Sequence, residues 1–596
     1  METEEITQFI LKAFEYKEQK DYKKAVDYFY KALTMDSNSS EIMCELSFLY
    51  DKLKKPDRAV EYLEQALNKK PDDERIKFKL AEMLKNTGNY KKAQLLYKEL
   101  FSLYQTETEY FAQYVYVLLL QEQFDLIISE YERYKGDKEK NSKLNYYMGV
   151  TYENINLVDE AEKFYKAALN ADNSNFDAGY KYASLLFDKK QYDESEKILL
   201  SLINKKDDAY IFYLLGEINF INNKIDDSIK YLSSACRIDS KNPSYFYELA
   251  TAYSLKGFLK EAEYNYLEAI KLDPNNLSYN YSLAYLYYMN KEASKSLRVL
   301  DYILAINPQQ PNAMTLKSQI LLDNNDIVSA DKLIKQSLEL NNRNDYAYLV
   351  SSKIYAALGW WEKAADTVKK AIEINSGSVE YKLDYAKYLL RSAELEEAIK
   401  ISNIVLKDNP KLIDALLVKV EALMRQQKFD EADKVLVKIF KLDSNSSKAH
   451  FYKSQIYKSD KKYLEAAEEL KFSIETEPDN VIFYENIAEC YFKAEVYDAA
   501  YQFYKEASNL DITQAKYKYM MAKIAVLQND TVSAISNFIL AKRLEPANFS
   551  IILDYYNFLC SIGKNKEAVS MLKDSKRFLL NENEIKTIDS LIKKKH

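Results

Sequence analysis

The chain has 596 residues, a formal net charge of −7 and 53 tyrosines. Its 9 Gly and 9 Pro fall far below the average usage of about 7% and about 5%, leaving little room for anything but helices and tight turns. A modest acidic charge spread along the chain argues against a nucleic-acid reader, which would show a basic stripe.

The opening residues, METEEITQFILKAFEY, carry acidic groups where a secretory leader needs positive ones, and they lack its apolar core. No stretch approaches the roughly 18 apolar residues of a membrane span, so a cytoplasmic protein is the expectation. The same residues predict a helix from Glu4 to Glu18 with Phe9, Ala13 and Tyr16 on one face. This helix is the first half of a unit that recurs to the end of the chain.

The unit is clearest from Pro243 to Asn276. Phe246, Leu249, Ala250 and Tyr253 recur at helical spacing, and a break follows at Lys256-Gly257. Ala262, Tyr266, Ala269 and Ile270 then recur, and Pro274 ends the run. Small residues between large ones imply two closely crossing helices. One such pair cannot bury both faces and must stack on copies of itself. Stepping by 34 from Ala262 gives Ala25, Ala59, Ala93, Ile127, Ala161, Ser195, Ser228, Ser296, Ala330, Ala364, Ala398, Ala432, Ala466, Ala500, Ala534 and Ala568, with a single 33-residue step between Ser195 and Ser228. A second column seven residues on holds Ala32, Ala66, Ala168, Ala235, Ala269, Ala371, Ala507 and Ala541. A third holds Pro71, Pro274, Pro308, Pro410, Pro478 and Pro546, where proline cannot continue the helix.

This pattern resembles the tetratricopeptide repeat family, carried here by Phe246, Leu249-Ala250, Tyr253, Ala262, Tyr266, Ala269 and Pro274. The resemblance covers about seventeen repeats. The family's glycine in the first helix is kept at Gly149 and Gly216 and replaced elsewhere. What the resemblance implies is an all-α fold: an α–α superhelix, a right-handed solenoid of antiparallel helix pairs. Residues 1–582 are expected to form one continuous superhelix.

Repeat four departs from the pattern, with Val115, Ile127 and Tyr134 where small residues belong and a polar run from Gly136 to Lys140. It reads either as a weak point near 111–143, hinge-like, or as a degenerate but rigid repeat. In repeat eleven Trp361 takes the slot that tyrosine holds elsewhere and is expected to pack, whereas Trp360 is expected at the surface. After repeat seventeen, Asn581 to Glu584 resembles a capping box. It opens a terminal capping helix over 583–596 with Ile585, Ile588, Leu591 and Ile592 on one face and a basic tail of lysines 593–595.

Catalytic chemistry finds little support. The 2 histidines are His450 and the last residue, His596. No Gly-rich phosphate loop occurs, and the carboxylates and lysines fall at helix-surface spacing. The 4 cysteines, Cys44, Cys236, Cys490 and Cys560, lie far apart and match neither metal-ligand spacing nor a disulfide framework. No enzyme activity, metal or cofactor is expected.

In the family, the first helix of each repeat lines a concave groove that binds peptides or partner helices. With the anchor residue at position 20, positions near 2, 5, 9 and 12 should face that groove. Position 5 is Tyr146, Tyr180, Tyr213, Tyr247 and Tyr281 in five successive repeats, and Phe187, Tyr210, Phe220, Tyr285 and Tyr288 lie at the other positions nearby. Two readings stand: rings packing on one another as second-layer core, or a binding surface, for which tyrosine supplies contact area and a hydroxyl. Groove positions before the ladder lean acidic and those after it lean basic, which would orient a partner of opposite polarity. No repeat carries the lysine–asparagine pair with which chaperone adaptors of the family clamp a terminal carboxylate. The expectation is a scaffold or adaptor, monomeric, binding protein partners through the tyrosines. The alternatives are an accessory subunit presenting substrate to a glycosyltransferase or secretion machinery, and self-assembly through the end faces.

Overall fold

The structure, a computed structural model, describes residues 2–105 and 107–594; Lys595 and His596, the end of the expected basic tail, lie outside the described residues. Every regular element among these is an α-helix, thirty-five in chain order and numbered α1 to α35 here, and none is a strand. The helices alternate as first and second members of seventeen pairs. The fold is the expected all-α solenoid of antiparallel pairs.

Local chemistry sets the boundaries. First helices open on polar caps: Asn141, Asn175, Asp208, Asn242 and Asn276 each accept a hydrogen bond from a backbone amide two or three residues on, satisfying a donor the helix leaves orphaned. Pro56, Pro243 and Pro311 occupy first helical positions, where the missing N–H costs nothing. The six exit-column prolines each follow the capping residue of a second helix, as Pro274 follows Asp273.

The turn inside each pair has a sharper requirement. One residue per repeat adopts a left-handed backbone, with φ between 55° and 84°: thirteen are not glycine, and four are Gly88, Gly257, Gly359 and Gly563. At Gly257 the turn closes with its N–H donating to the Ser254 carbonyl and the Phe258 N–H donating to that of Tyr253, both at 3.0 Å.

All seventeen anchor residues have no accessible surface, Ile127 included. Closeness of approach is measured at Gly149, where a Cβ would lie 2.5 Å from the Tyr165 ring of the paired helix. Gly216 stands in the same relation to Leu232.

Contacts divide the chain into two compact units, Met1–Glu292 and Ala293–His596. The first holds seventeen helices, among them α9 (Ser142–Asn154), α10 (Val158–Ala171), α11 (Phe176–Asp188), α12 (Tyr192–Leu202), α13 (Ala209–Ile221), α14 (Ile225–Ile238), α15 (Pro243–Lys256), α16 (Leu259–Leu272) and α17 (Leu277–Met289). Its repeat four has a shortened second helix, Phe124–Arg133. Its large residues fill the space: Tyr134 stacks on Phe111 at 4.0 Å, and one apolar cluster runs through the repeat from Met43 to Met148. The Asn145 side chain donates to the carbonyls of Lys138 and Glu139, at 3.1 and 3.2 Å, across the polar run.

The second unit ends in α33 (Phe549–Ser561), α34 (Asn565–Lys576) and α35 (Glu582–Lys594). The Asn581 side chain caps α35 by accepting from the Asn583 amide at 2.9 Å. Ile588 is fully buried, with Ile585, Leu591 and Ile592 around it, against the cluster containing Leu559 and Leu572.

Candidate partner-binding face

Tyr146, Tyr180, Tyr213, Tyr247 and Tyr281 project from equivalent positions of α9, α11, α13, α15 and α17, all inside the first unit. The first helices α11, α13 and α15 touch in sequence, so their position-5 residues share one face. All five rings are half-buried, and so are Tyr288, Phe187 and Phe220; Tyr285 is 45% exposed. Tyr285 and Tyr288 sit 6.5 Å apart. Phe187 packs edge-on against Tyr192 at 5.6 Å, and Phe220 packs against the cluster around Leu232. Both phenylalanines are therefore also committed to holding helices together.

The five rungs do not stack on one another. Each of the middle three meets a ring from the next repeat that sequence reading did not assign to the ladder, or had only beside it. Tyr180 contacts Tyr210 at 5.7 Å, Tyr213 contacts Tyr245 at 5.2 Å, and Tyr247 contacts Tyr279 at 4.8 Å. Tyr210 in turn contacts Tyr213 at 5.7 Å, giving an unbroken run of rings from Tyr180 to Tyr245. Tyr245 and Tyr279 recur 34 residues apart, the one sequence signal that could have found them.

The hydroxyls divide into two groups. Tyr247 shares a hydrogen bond with Ser282 Oγ at 3.2 Å. Those of Tyr146, Tyr180, Tyr213 and Tyr281 have no hydrogen-bond partner among the described residues. Burial pushes the Tyr146 and Tyr180 phenols up to about 12 and raises Tyr213 and Tyr281 as well, so all four stay protonated donors near neutrality.

The flanking charges are largely consumed in ion pairs between successive repeats. Glu109 meets Lys143 at 3.2 Å and Glu153 meets Lys181 at 2.9 Å before the ladder. After it, Lys353 meets Glu380 at 3.1 Å, Lys387 meets Asp414 at 3.7 Å and Lys458 meets Glu489 at 2.9 Å. Two half-buried carboxylates of the ladder helices are not paired in this way. Glu217 on α13 and Glu248 on α15 are half-buried beside the ladder, and neither has an ion-pair or hydrogen-bond partner among the described residues. Burial, and for Glu217 also the neighbouring Glu248, raises both from 4.5 to about 7.

Elsewhere the ionisable groups have structural explanations. His450 is buried between Phe440 and Phe472, each ring 4.8 Å away, with Nδ1 2.7 Å from Glu469 and Nε2 2.9 Å from the Ser444 carbonyl oxygen. The four cysteines are free thiols. Burial lifts Cys490 to about 11 and Cys236 to about 12, far from a reactive thiolate. No three His, Cys, Asp or Glu among the described residues are placed to hold a metal ion. In the second unit a cavity of about 370 Å³ opens between Trp361, Tyr388, Arg391, Glu421 and Phe451. Trp361 is half-buried there, while Trp360 is 49% exposed and stacks on Tyr355. No helix among the described residues is long and apolar enough to cross a membrane.

Family models described as tetratricopeptide repeat match residues 16–77, 52–112 and 156–218, and another matches 247–311. The repeats in these stretches are tetratricopeptide repeats. A TPR repeat-containing protein of Methanocaldococcus jannaschii is 24% identical over 300 residues, 47% of this chain and 51% of its own. The chain thus spans about half the length of the curated relative it matches. Among solved structures, yeast Tom70 aligns at 17% identity and a TM-score of 0.36 over 74% of this chain and 97% of that one. A tetratricopeptide repeat protein from Parabacteroides merdae aligns at 16% identity and 0.33 over 42% and 98%. Tetratricopeptide repeat proteins generally mediate protein–protein interaction and are typically non-catalytic.

Proposed function

We propose that this chain is a scaffold or adaptor that docks an extended or helical segment of a protein partner on the tyrosine-lined face of α9 to α17. The observation that carries this reading is the combination of partly exposed rings with hydroxyls that no protein group bonds, at Tyr146, Tyr180, Tyr213 and Tyr281. Rings serving only as second-layer core would be covered, as those of Tyr97 and Tyr114 are. Binding would combine apolar burial on the rings with phenol donation to the backbone of the guest. The chemistry suits a segment read along its length, because the rungs recur once per repeat.

The test is affinity capture from the source organism's lysate by wild type and by Y180A/Y213A/Y247A, after circular dichroism has shown equal helicity. Loss of three clustered aromatic anchors is expected to weaken the captured partner on the order of 100-fold or more. Equal capture of the same proteins by both would assign the rings to packing and overturn the reading.

A further inference from the structure

Other half-buried carboxylates of the first helices, such as Glu45, Glu109, Glu485 and Asp554, are each bonded to a neighbouring side chain, and that pattern makes an exception informative. Glu153, Glu380, Asp414 and Glu489 each sit within 4 Å of a lysine from an adjacent repeat. Glu217 and Glu248 occupy adjacent first helices in the middle of the ladder and face no cation. The groups around them are phenols: both carboxylates act on Tyr213, and Glu248 also acts on Tyr266. Tyr213 in turn contacts Tyr245, and Tyr266 contacts Tyr247.

Two half-buried carboxylates on touching helices, with no ion-pair partner among the described residues, are costly to desolvate. A Gln or Leu would fill the same space without the penalty. What their placement does supply is a strong site for positive charge: two acceptors flanked by aromatic rings, whose faces attract a cation.

We infer that the occupant of the ladder is a basic segment, and that Glu217 and Glu248 receive one arginine or lysine side chain of it beside the ring of Tyr213. This rests on the tyrosine face being the docking surface, and it adds the chemistry of the guest. The charge complementarity is local: an ammonium or guanidinium there would pair with two carboxylates that the protein leaves unpaired, whereas an acidic guest would meet only repulsion.

The test selects peptides on the full-length chain from a phage-displayed library of random dodecapeptides. The selected sequences are then titrated as free peptides against wild type, E217Q/E248Q and Y180A/Y213A/Y247A, and each titration is repeated with the basic residues of the peptide replaced one at a time by methionine. The expected result is enrichment of Arg or Lys at one register position and loss of binding to the tyrosine variant. E217Q/E248Q should bind about tenfold more weakly, with that deficit disappearing for the peptide whose critical basic residue is already replaced. Peptides that the tyrosine variant loses but that ignore E217Q/E248Q, or that show no basic enrichment, overturn this inference and leave the docking face standing. Peptides indifferent to the tyrosine variant, or no selected peptide at all, overturn both.

Discussion

Glu248 and Glu217 owe their raised proton affinity first to burial, so their consequence for stability has a definite sign. A carboxyl whose pKa rises from 4.5 unfolded to about 7 folded gives its full stability below the unfolded value. That stability is lost as pH climbs toward 7, because the unfolded chain gives up the proton first. Above that window each charged, desolvated carboxylate costs on the order of 1–3 kcal/mol. E217Q/E248Q is therefore expected to melt a few degrees above wild type at about pH 8 and to match it at about pH 4. Thermal unfolding at the two pH values checks this, and an equal shift at both would remove the titration from the explanation. The same residues show where sequence reading stops. That Tyr213 and Tyr247 share a face follows from their spacing, since helical geometry alone fixes it. That Tyr247 meets Tyr279 and Ser282, and that Glu217 meets no lysine, depends on rotamers and on how far one repeat is turned against the next, which no single-chain periodicity encodes.

At the level of the helix pair, the left-handed turn residue explains why the chain tolerates so few glycines and what that tolerance costs. Lys54, Glu122 and Lys190 hold φ values of 59°, 55° and 61°, where a Cβ crowds the following carbonyl at a cost of about 1–2 kcal/mol per residue. Glycine removes the crowding but loses more freedom on folding, so each replacement should gain a fraction of that cost. K54G/E122G/K190G is expected to raise stability by about 1–2 kcal/mol in total, read as a higher urea midpoint with an unchanged slope. N156G/N223G, at φ values of 59° and 58°, should gain less, because asparagine already tolerates this region. A larger gain for the asparagine pair would contradict the argument. The helix pairs were legible in the sequence because the same physical demands recur in register: a small anchor at the crossing in every repeat but the fourth, and a proline after six of the second helices. The turn position itself was hidden, since thirteen residues of five other types meet a demand that glycine would have advertised.

A chain built from repeats that touch mainly their neighbours distributes its stability locally, and its ends are where that principle can be tested. The last full repeat, α33 with α34, presents Leu559 and Leu572 to α35, whose Ile588 is fully buried against them. Lys576 also pairs with Asp589 of that helix at 2.7 Å. Ending the chain at Leu580 would return this apolar surface to water, at roughly 25 cal/mol for each Å² uncovered. Because the stabilisation is passed from repeat to repeat, the loss should be steepest in α33 and α34 and fade with distance. Hydrogen exchange is therefore expected to show sharply reduced protection in those two helices and unchanged protection in α9 to α17, with I588D giving a weaker form of the same gradient. A uniform loss along the whole chain would mean that the repeats unfold as one cooperative body, and no loss at all would mean that α35 is not a cap. Only the graded outcome agrees with the way the core is built, as a succession of local clusters each closed by the next helix pair. Such a construction would also let the proposed docking face of α9 to α17 yield to a guest without loosening the repeats far from it.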